Sequence, residues 1–231
     1  MDRKDAESVA RSWGWLSQQP RGVQNEVLRR SRLMHVDTGT LLYQIDDTGG
    51  GIYGVAEGAI GIHVASPSTG STLAHIVRRG FWFGHAPILA RRGRAAAARA
   101  AGPSCLIYLP LREMERLSRS STAFTRALAS LSDDAFRVAA GVITDLLIRR
   151  ADCRIAATLL RVTGALEACA PDAPAGFRLT QAELGEMANA SRHLVNRTLG
   201  RFEANGWVSR SYSYIAICQP ESLAAFVRDG E

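Results

Sequence analysis

Three textures of apolar and polar positions follow one another along the chain. Over residues 1–30, Trp13, Trp15 and Leu16 form an apolar spot, Pro20 restarts the chain, and Val23, Val27 and Leu28 follow at helical spacing. One or two helices are predicted there. From residue 33 to 109 short apolar runs alternate with glycine and small polar residues: 41–45, 52–55, 60–64, 73–77, 81–83 and 105–109. Gly49-Gly50-Gly51, Gly58, Gly61, the polar stretch 66–71 and Arg79-Gly80 punctuate them. Strands at this spacing predict an antiparallel sandwich or jelly roll. Residues 80–89 read as a strand running into one short helical turn, 91–94 as a basic loop, and 95–101 as weakly patterned. Pro110 stops the last strand.

The pattern from 111 to 150 is helical. Phe124, Leu128, Leu131, Ala135, Val138 and Val142 recur in alternating steps of four and three, the spacing of a coiled-coil seam. The run is shorter than a free-standing coil wants, so the helix is expected to pack on its own sandwich and on a second copy. The six residues are the candidate dimer interface. A further helix is predicted over 152–170, with Ile155, Leu159, Leu160, Val162 and Leu166 along it, and a loop over 171–177.

Residues 180–208 read as two short helices joined by a tight turn. Thr180 can cap the first, and Glu183 stands at capping-box spacing. Leu184 and Met187 supply its apolar side, and Gly185 allows a close crossing. Asn189 is predicted to make the turn, because asparagine tolerates a left-handed backbone. Ser191 then caps a second helix with Leu194, Val195, Leu199 and Phe202 on one side and Arg192, His193, Asn196 and Arg197 on the other. Donors of this kind, projecting from a helix's first turns, suit guanine edges and phosphates in a major groove. The plainer reading is a helical hairpin with a solvated basic side, but turn, caps, crossing residue and basic turn agree on the DNA reading. A small hairpin of 207–208 with 214–217 around 210–213, and a short helix from Pro220, complete the chain.

Composition adds little that contradicts this. The 231 residues carry a net charge of +6, favouring a polyanionic partner, and 46% apolar residues, enough for real cores. No apolar run is long enough for a membrane span, and the N-terminus lacks the apolar core of a secretory signal. Cys105, Cys153, Cys169 and Cys218 are scattered, as reduced thiols of a cytoplasmic protein would be.

The order of sandwich, long helix and helix-turn-helix with a hairpin wing resembles the Crp/Fnr family of bacterial transcription regulators, from about residue 16 to 217. Ser-Arg-His-Leu-Val-Asn-Arg (191–197) is similar to the family's Ser-Arg-Glu-x-x-x-Arg recognition motif. Arg-Gly-Phe-Trp-Phe-Gly-His (79–85) is similar to the Gly-Asp-x-Phe-Gly-Glu turn of its effector domain. The resemblance implies an α+β chain: a jelly-roll, cyclic-nucleotide-binding-like domain with N-terminal helices (1–110), a dimerisation helix (111–150) and a winged helix-turn-helix domain (151–231). It also implies a homodimer on a two-fold-related duplex site that acts on RNA polymerase. Arg192 and Arg197 keep the motif and inherit guanine and phosphate contact. Asn196 is an auxiliary contact, and Ser191 and Thr180 complete the DNA-facing set. His193 replaces the recognition Glu, exchanging an acceptor for a ring with both donor and acceptor character, so base preference should change there.

The candidate effector pocket is Gly84, His85, Arg94 and Ala95. Gly84 is kept, but His85 replaces the carboxylate that takes the ribose hydroxyl, and Ala95 replaces the hydroxyl residue beside the phosphate arginine. Cyclic nucleotide is therefore not expected, and no cofactor is. Arg94 either binds another anion or, the simpler expectation, belongs to a solvated basic run with Arg91, Arg92 and Arg99. An iron–sulfur sensor is not expected either, since no cysteine precedes Cys105. The alternative class is a jelly-roll metal protein or cupin-like enzyme with a non-functional helix-turn-helix. It needs a His-x-His pair that this chain lacks; His63, His75 and His85 are isolated, and His35 reads as structural. No Ser-His-Asp set, phosphate loop or dinucleotide fingerprint is present. The expectation is a cytoplasmic regulator, not an enzyme, whose long helix is a two-state element that an effector, if one exists, would bias.

Overall fold

Three short helices open the chain: α1 (Arg3–Ser12) and α2 (Gly14–Ser17), parted by the extended backbone of Trp13, and α3 (Arg21–Arg30), which starts after Pro20. They precede eight strands: β1 (Arg32–Val36), β2 (Leu41–Tyr43), β3 (Gly51–Glu57), β4 (Ala59–Ser66), β5 (Gly70–Arg78), β6 (Trp82–Phe83), β7 (Ala97–Ala100) and β8 (Ser104–Pro110), with α4 (Ala86–Ala90) after β6. Two four-stranded sheets result, in the orders β1-β8-β3-β6 and β2-β7-β4-β5. β1 and β7 were not evident in the apolar pattern. β7 is an alanine-rich edge of the basic stretch, and its strand form comes from pairing with β2 and β4. The computed structural model describes residues 1–66, 70–90, 92–166, 177–211 and 214–230.

Two compact units emerge. The first comprises Met1–Ser71 and Ile76–Val138, the second Thr72–His75 and Ala139–Glu231. In the first, the sandwich and the N-terminal helices share a core with α5 (Leu111–Ser120) and the first half of α6 (Thr122–Leu147). Trp15 anchors that contact. Its ring lies 5.4 Å from that of Trp82, and its Nε1 donates to the Ala127 carbonyl at 2.8 Å, so a large indole is buried with its polar atom satisfied. Gly54 is required under Trp82, because a Cβ there would meet the ring at 2.4 Å.

The continuous helix read over 111–150 is broken at Ser121, whose backbone is extended (φ −144°). The Ser121 hydroxyl accepts from the Phe124 amide at 3.2 Å and so caps α6. The expected dimer seam also divides. Phe124, Leu128 and Leu131 are 1%, 0% and 1% exposed and belong to the protomer's own core. Ala135, Val138 and Val142 are only half-buried. The exposed apolar side chains of α6 are Phe136, Ile143, Leu146 and Leu147, at 70%, 60%, 44% and 76%. The seam read from the sequence was thus, in its first half, the imprint of an intramolecular core; the outward apolar face lies to one side of it.

The second unit continues with α7 (Ala151–Thr163), ended by Gly164 in the left-handed region (φ 62°). Then come β9 (Phe177–Arg178), α8 (Gln181–Met187), α9 (Arg192–Ala204), β10 (Val208–Ser211), β11 (Tyr214–Ile217) and α10 (Pro220–Arg228). The expected wing forms with Val208 opposite Ile217 and Ser211 opposite Tyr214, and β9, whose first residue was expected in the loop over 171–177, adds a third strand. Trp207 precedes β10, accepts from the Cys218 amide through its carbonyl at 2.8 Å, and packs its ring against Phe202 and Phe226, with ring centroids 5.6 and 5.7 Å away. The tip at 212–213, most of the loop at 171–177, the end of the helix expected to reach 170, Cys169, Arg91 and residues 67–69 lie outside the described residues. No helix among the described residues is long and apolar enough to cross a membrane.

Candidate functional site

The helix pair of the second unit is assembled from local signals. Thr180 Oγ1 accepts from the Glu183 amide at 3.1 Å, and Glu183 Oε2 accepts from the Thr180 amide at 2.7 Å, closing a capping box at the start of α8. The Thr180 hydroxyl also donates to the Glu183 carboxylate at 2.8 Å. Its hydroxyl thus both accepts and donates within the helix start. Asn189 makes the turn with φ +46°. Gly185 lets the helices cross, since a Cβ there would stand 2.8 Å from the Ala190 carbonyl oxygen and 3.4 Å from Val195 Cγ2.

Ser191 Oγ accepts from the Leu194 amide at 3.2 Å and starts α9. One side of α9 is locked: Val195, Leu199 and Phe202 are fully buried and Thr198 nearly so. Arg192, His193, Asn196 and Arg197 are all exposed on the other side. Burying the inner row contributes about 1.5–3 kcal/mol per large side chain, ample to hold the outer row's orientation. Arg210 of β10, not singled out in the sequence, reaches this side. Its Nη1 donates to Asn196 Oδ1 at 3.3 Å while its Nε donates to Glu203 Oε2 at 2.9 Å. Only its distance from Asn196 along the chain hid it.

The candidate effector residues gather in the first unit, but not as a solvated basic loop. Arg92 and Arg99 are exposed, whereas Arg94 is only 2% exposed. Arg94 Nη1 donates to the Gly84 carbonyl at 2.8 Å, and Nη2 to the carbonyls of Gly49 at 2.9 Å and Gly51 at 3.2 Å. Its guanidinium carbon lies 3.9 Å from the centre of the Tyr43 ring. Glycine is needed around it: Gly50 and Gly84 have φ of 96° and 93°, and a Cβ on Gly50 would stand 2.8 Å from Nη2. Among the described residues no carboxylate pairs with Arg94, so three carbonyl dipoles and an aromatic face carry its charge. Burial pushes the Tyr43 and Tyr53 hydroxyls up to about 12, so neither supplies an anion. Burial, with the Arg94 charge behind it, holds the His85 imidazole down to about 4. His85 Nδ1 is buried with no hydrogen-bond partner among the described residues. Ala95 is exposed. No group of three His, Cys, Asp or Glu with metal-binding geometry occurs among the described residues, so His63, His75 and His85 do not converge.

Two family models match the chain: a cyclic nucleotide-binding domain over residues 33–121 and a Crp-like helix-turn-helix domain over 153–226. No curated protein matches it significantly. Among solved structures, FixK2 from Bradyrhizobium japonicum is similar at 16% identity and a TM-score of 0.71, over 84% of this chain and 96% of that one. The c-di-GMP-responsive global regulator CLP of Xanthomonas campestris is similar at 17% identity and 0.65, over 86% and 99%. A putative cyclic nucleotide binding protein from Ruegeria pomeroyi is similar at 17% identity and 0.68, over 99% of both chains. At these identities the likeness is one of fold. The two domain matches, in this order along one chain whose second unit exposes a capped helix with a basic side, make it a member of the Crp/Fnr family of DNA-binding transcription regulators.

Proposed function

We propose that two copies of this chain pair along α6 and present α9 twice to a two-fold-related duplex site, and that they do so without a cyclic nucleotide. The observation that carries the DNA half is the exposed row Arg192, His193, Asn196 and Arg197 on a helix whose opposite face is fixed in the core. Arg192 reads a guanine through O6 and N7, Arg197 anchors a phosphate, and His193 sets a base preference unlike that of a glutamate. Pairing is supported by the exposed Phe136, Ile143 and Leu147, which recur along one side of α6 and have more apolar surface than a lone helix face favours. A two-fold dimer delivers its recognition helices about 34 Å apart, one duplex turn.

The reading against a cyclic nucleotide rests on Arg94. The Nη donors that would meet the cyclic phosphate go to three of the chain's own carbonyls, and Gly84 and Gly50 close around them. His85 stands in place of the ribose-binding carboxylate and carries no charge near neutral pH. A cyclic nucleotide does not fit these residues in the family's usual way. The protein acts in the cytoplasm on promoters read by RNA polymerase, as a regulator and not as an enzyme.

Selection of bound sequences from random duplex DNA, with and without cyclic AMP and with and without cell extract, tests this. The expected result is an inverted repeat with half-sites about one turn apart, enriched equally with and without the nucleotide. Enrichment of no sequence overturns the DNA reading; enrichment only with cyclic AMP overturns the reading of Arg94. Arg192→Ala is expected to relax one position of each half-site, at about 1–3 kcal/mol of discrimination.

A further inference from the structure

One guanidinium in the second unit touches two breaks between helices, the end of α6 and the turn inside the helix-turn-helix. Arg154 lies in the first turn of α7 and was given no role by the sequence. Its Nη1 donates to the carbonyls of Ile148 at 2.9 Å and Arg149 at 3.0 Å, just beyond the last residue of α6. Its Nε donates to the Ala188 carbonyl at 3.0 Å and its Nη2 to that of Asn189 at 3.1 Å, the turn that launches α9. Carbonyls at a helix end have no intrahelical partner, and here two such ends are satisfied by one side chain. Only the fork of an arginine, with five donors in a plane, reaches two segments at once; a lysine ammonium is a point donor.

A second arginine acts along the same side of α7, two turns on. Arg161 Nε donates to Asp145 Oδ2 of α6 at 2.6 Å, and both side chains are 13% exposed. Its stem lies over Gly141, where a Cβ would stand 3.1 Å from Arg161 Cδ. The end of α6 is therefore keyed to α7 twice, and Arg154 extends that connection to the turn before the recognition helix.

We propose that Arg154 is a positioning residue for DNA recognition: it ties the turn at Ala188 and Asn189 to the end of α6, so that a shift of that end is carried to α9. This rests on the assignment of α9 as the DNA-reading helix. The test uses the full-length protein as wild type, Arg154→Lys and Arg154→Ala, with the selected operator and a scrambled duplex of equal length. Melting temperature and amide exchange over residues 188–191 are followed alongside affinity. In Arg154→Lys the operator affinity is expected to fall roughly tenfold, while scrambled-duplex affinity and its salt slope stay at wild-type values. Exchange over 188–191 should quicken, and low-millimolar guanidinium, far below denaturing levels, should restore part of the operator affinity of Arg154→Ala.

Three results overturn the proposal. One is an equal loss on both duplexes with a salt slope smaller by about one, the mark of a phosphate ligand. Another is a lowered melting temperature with an unchanged ratio of operator to scrambled affinity, the mark of a residue that only stabilises. The third is unchanged exchange at 188–191. If the wild type itself prefers no operator, the DNA assignment fails separately, and the exchange measurement still decides whether Arg154 holds the turn.

Discussion

Burial, and the Arg94 guanidinium nearby, disfavour a charged imidazole at His85. Gly49, Gly51 and Gly84 turn their carbonyls to the Arg94 guanidinium. Arg94→Met removes the charge but leaves those oxygens without a donor, at about 1–3 kcal/mol for each orphaned group. We expect a net loss of about 3–5 kcal/mol, seen as a lower urea midpoint. His85 is held near 4 against 6.5 for a free imidazole. Between those values the unfolded chain binds a proton that the folded form refuses. Stability is thus complete above about 6.5 and drains as pH falls toward 4, by about 1–3 kcal/mol over the window. Since Asp134 and Asp145 are raised by burial and also titrate on the acid side, the quantity to measure is the wild-type denaturation midpoint minus that of His85→Gln across pH 4–7. A difference that does not change with pH would sink this account. None of this was legible in the sequence. A run reading Arg-Arg-Gly-Arg looks solvated, and what buries its last member is a glycine stretch more than forty residues away.

At the scale of elements, the helix-turn-helix was the most legible part. Every feature that defines it acts within a few residues: a threonine and a glutamate close a box, an asparagine bends the backbone, a serine restarts it, and a glycine admits the crossing. Gly185→Ala is a sharp test. Its Cβ would press on the Ala190 carbonyl oxygen at 2.8 Å, and backbone yields less easily than a side-chain tip. A loss of about 1–3 kcal/mol in thermal stability is expected, with a shifted α9 that weakens operator binding more than scrambled-duplex binding. Asn189→Ala should cost about 1–2 kcal/mol for its left-handed backbone, and Asn189→Gly should be close to neutral. Elements defined by distant partners were less legible. β7 is alanine-rich and gains strand form only between β2 and β4, and β1 is set by its register with β8 from Leu33↔Ile107 to His35↔Cys105. The break at Ser121 falls between two stretches that are each helical, so the helical reading ran straight through it.

For the whole molecule, the proposed pairing of two copies turns on which side of α6 is left free by the protomer's own core. Apolar spacing in a sequence reports that residues are buried without saying against what. Phe124, Leu128 and Leu131 have their partners inside the protomer, among Trp15, Leu16 and Leu117, and have no surface left to offer. Phe136, Ile143 and Leu147 project outward, spaced by seven and then four residues, so they share one side of the helix. Leu128→Ala and Ile143→Asp therefore separate the two roles. The first opens a cavity and should lower stability by about 2–5 kcal/mol while the sedimentation mass stays that of a dimer. The second puts a carboxylate into the apolar contact proposed between copies. It should yield a monomer with a melting temperature near that of the wild type at low concentration, because in a single protomer residue 143 is already 60% exposed. That monomer should lose operator affinity by far more than it loses affinity for one half-site, since the second recognition helix no longer binds from the same particle. A dimer that survives Ile143→Asp and Phe136→Asp together would place the contact elsewhere and remove α6 as the means of presenting α9 twice.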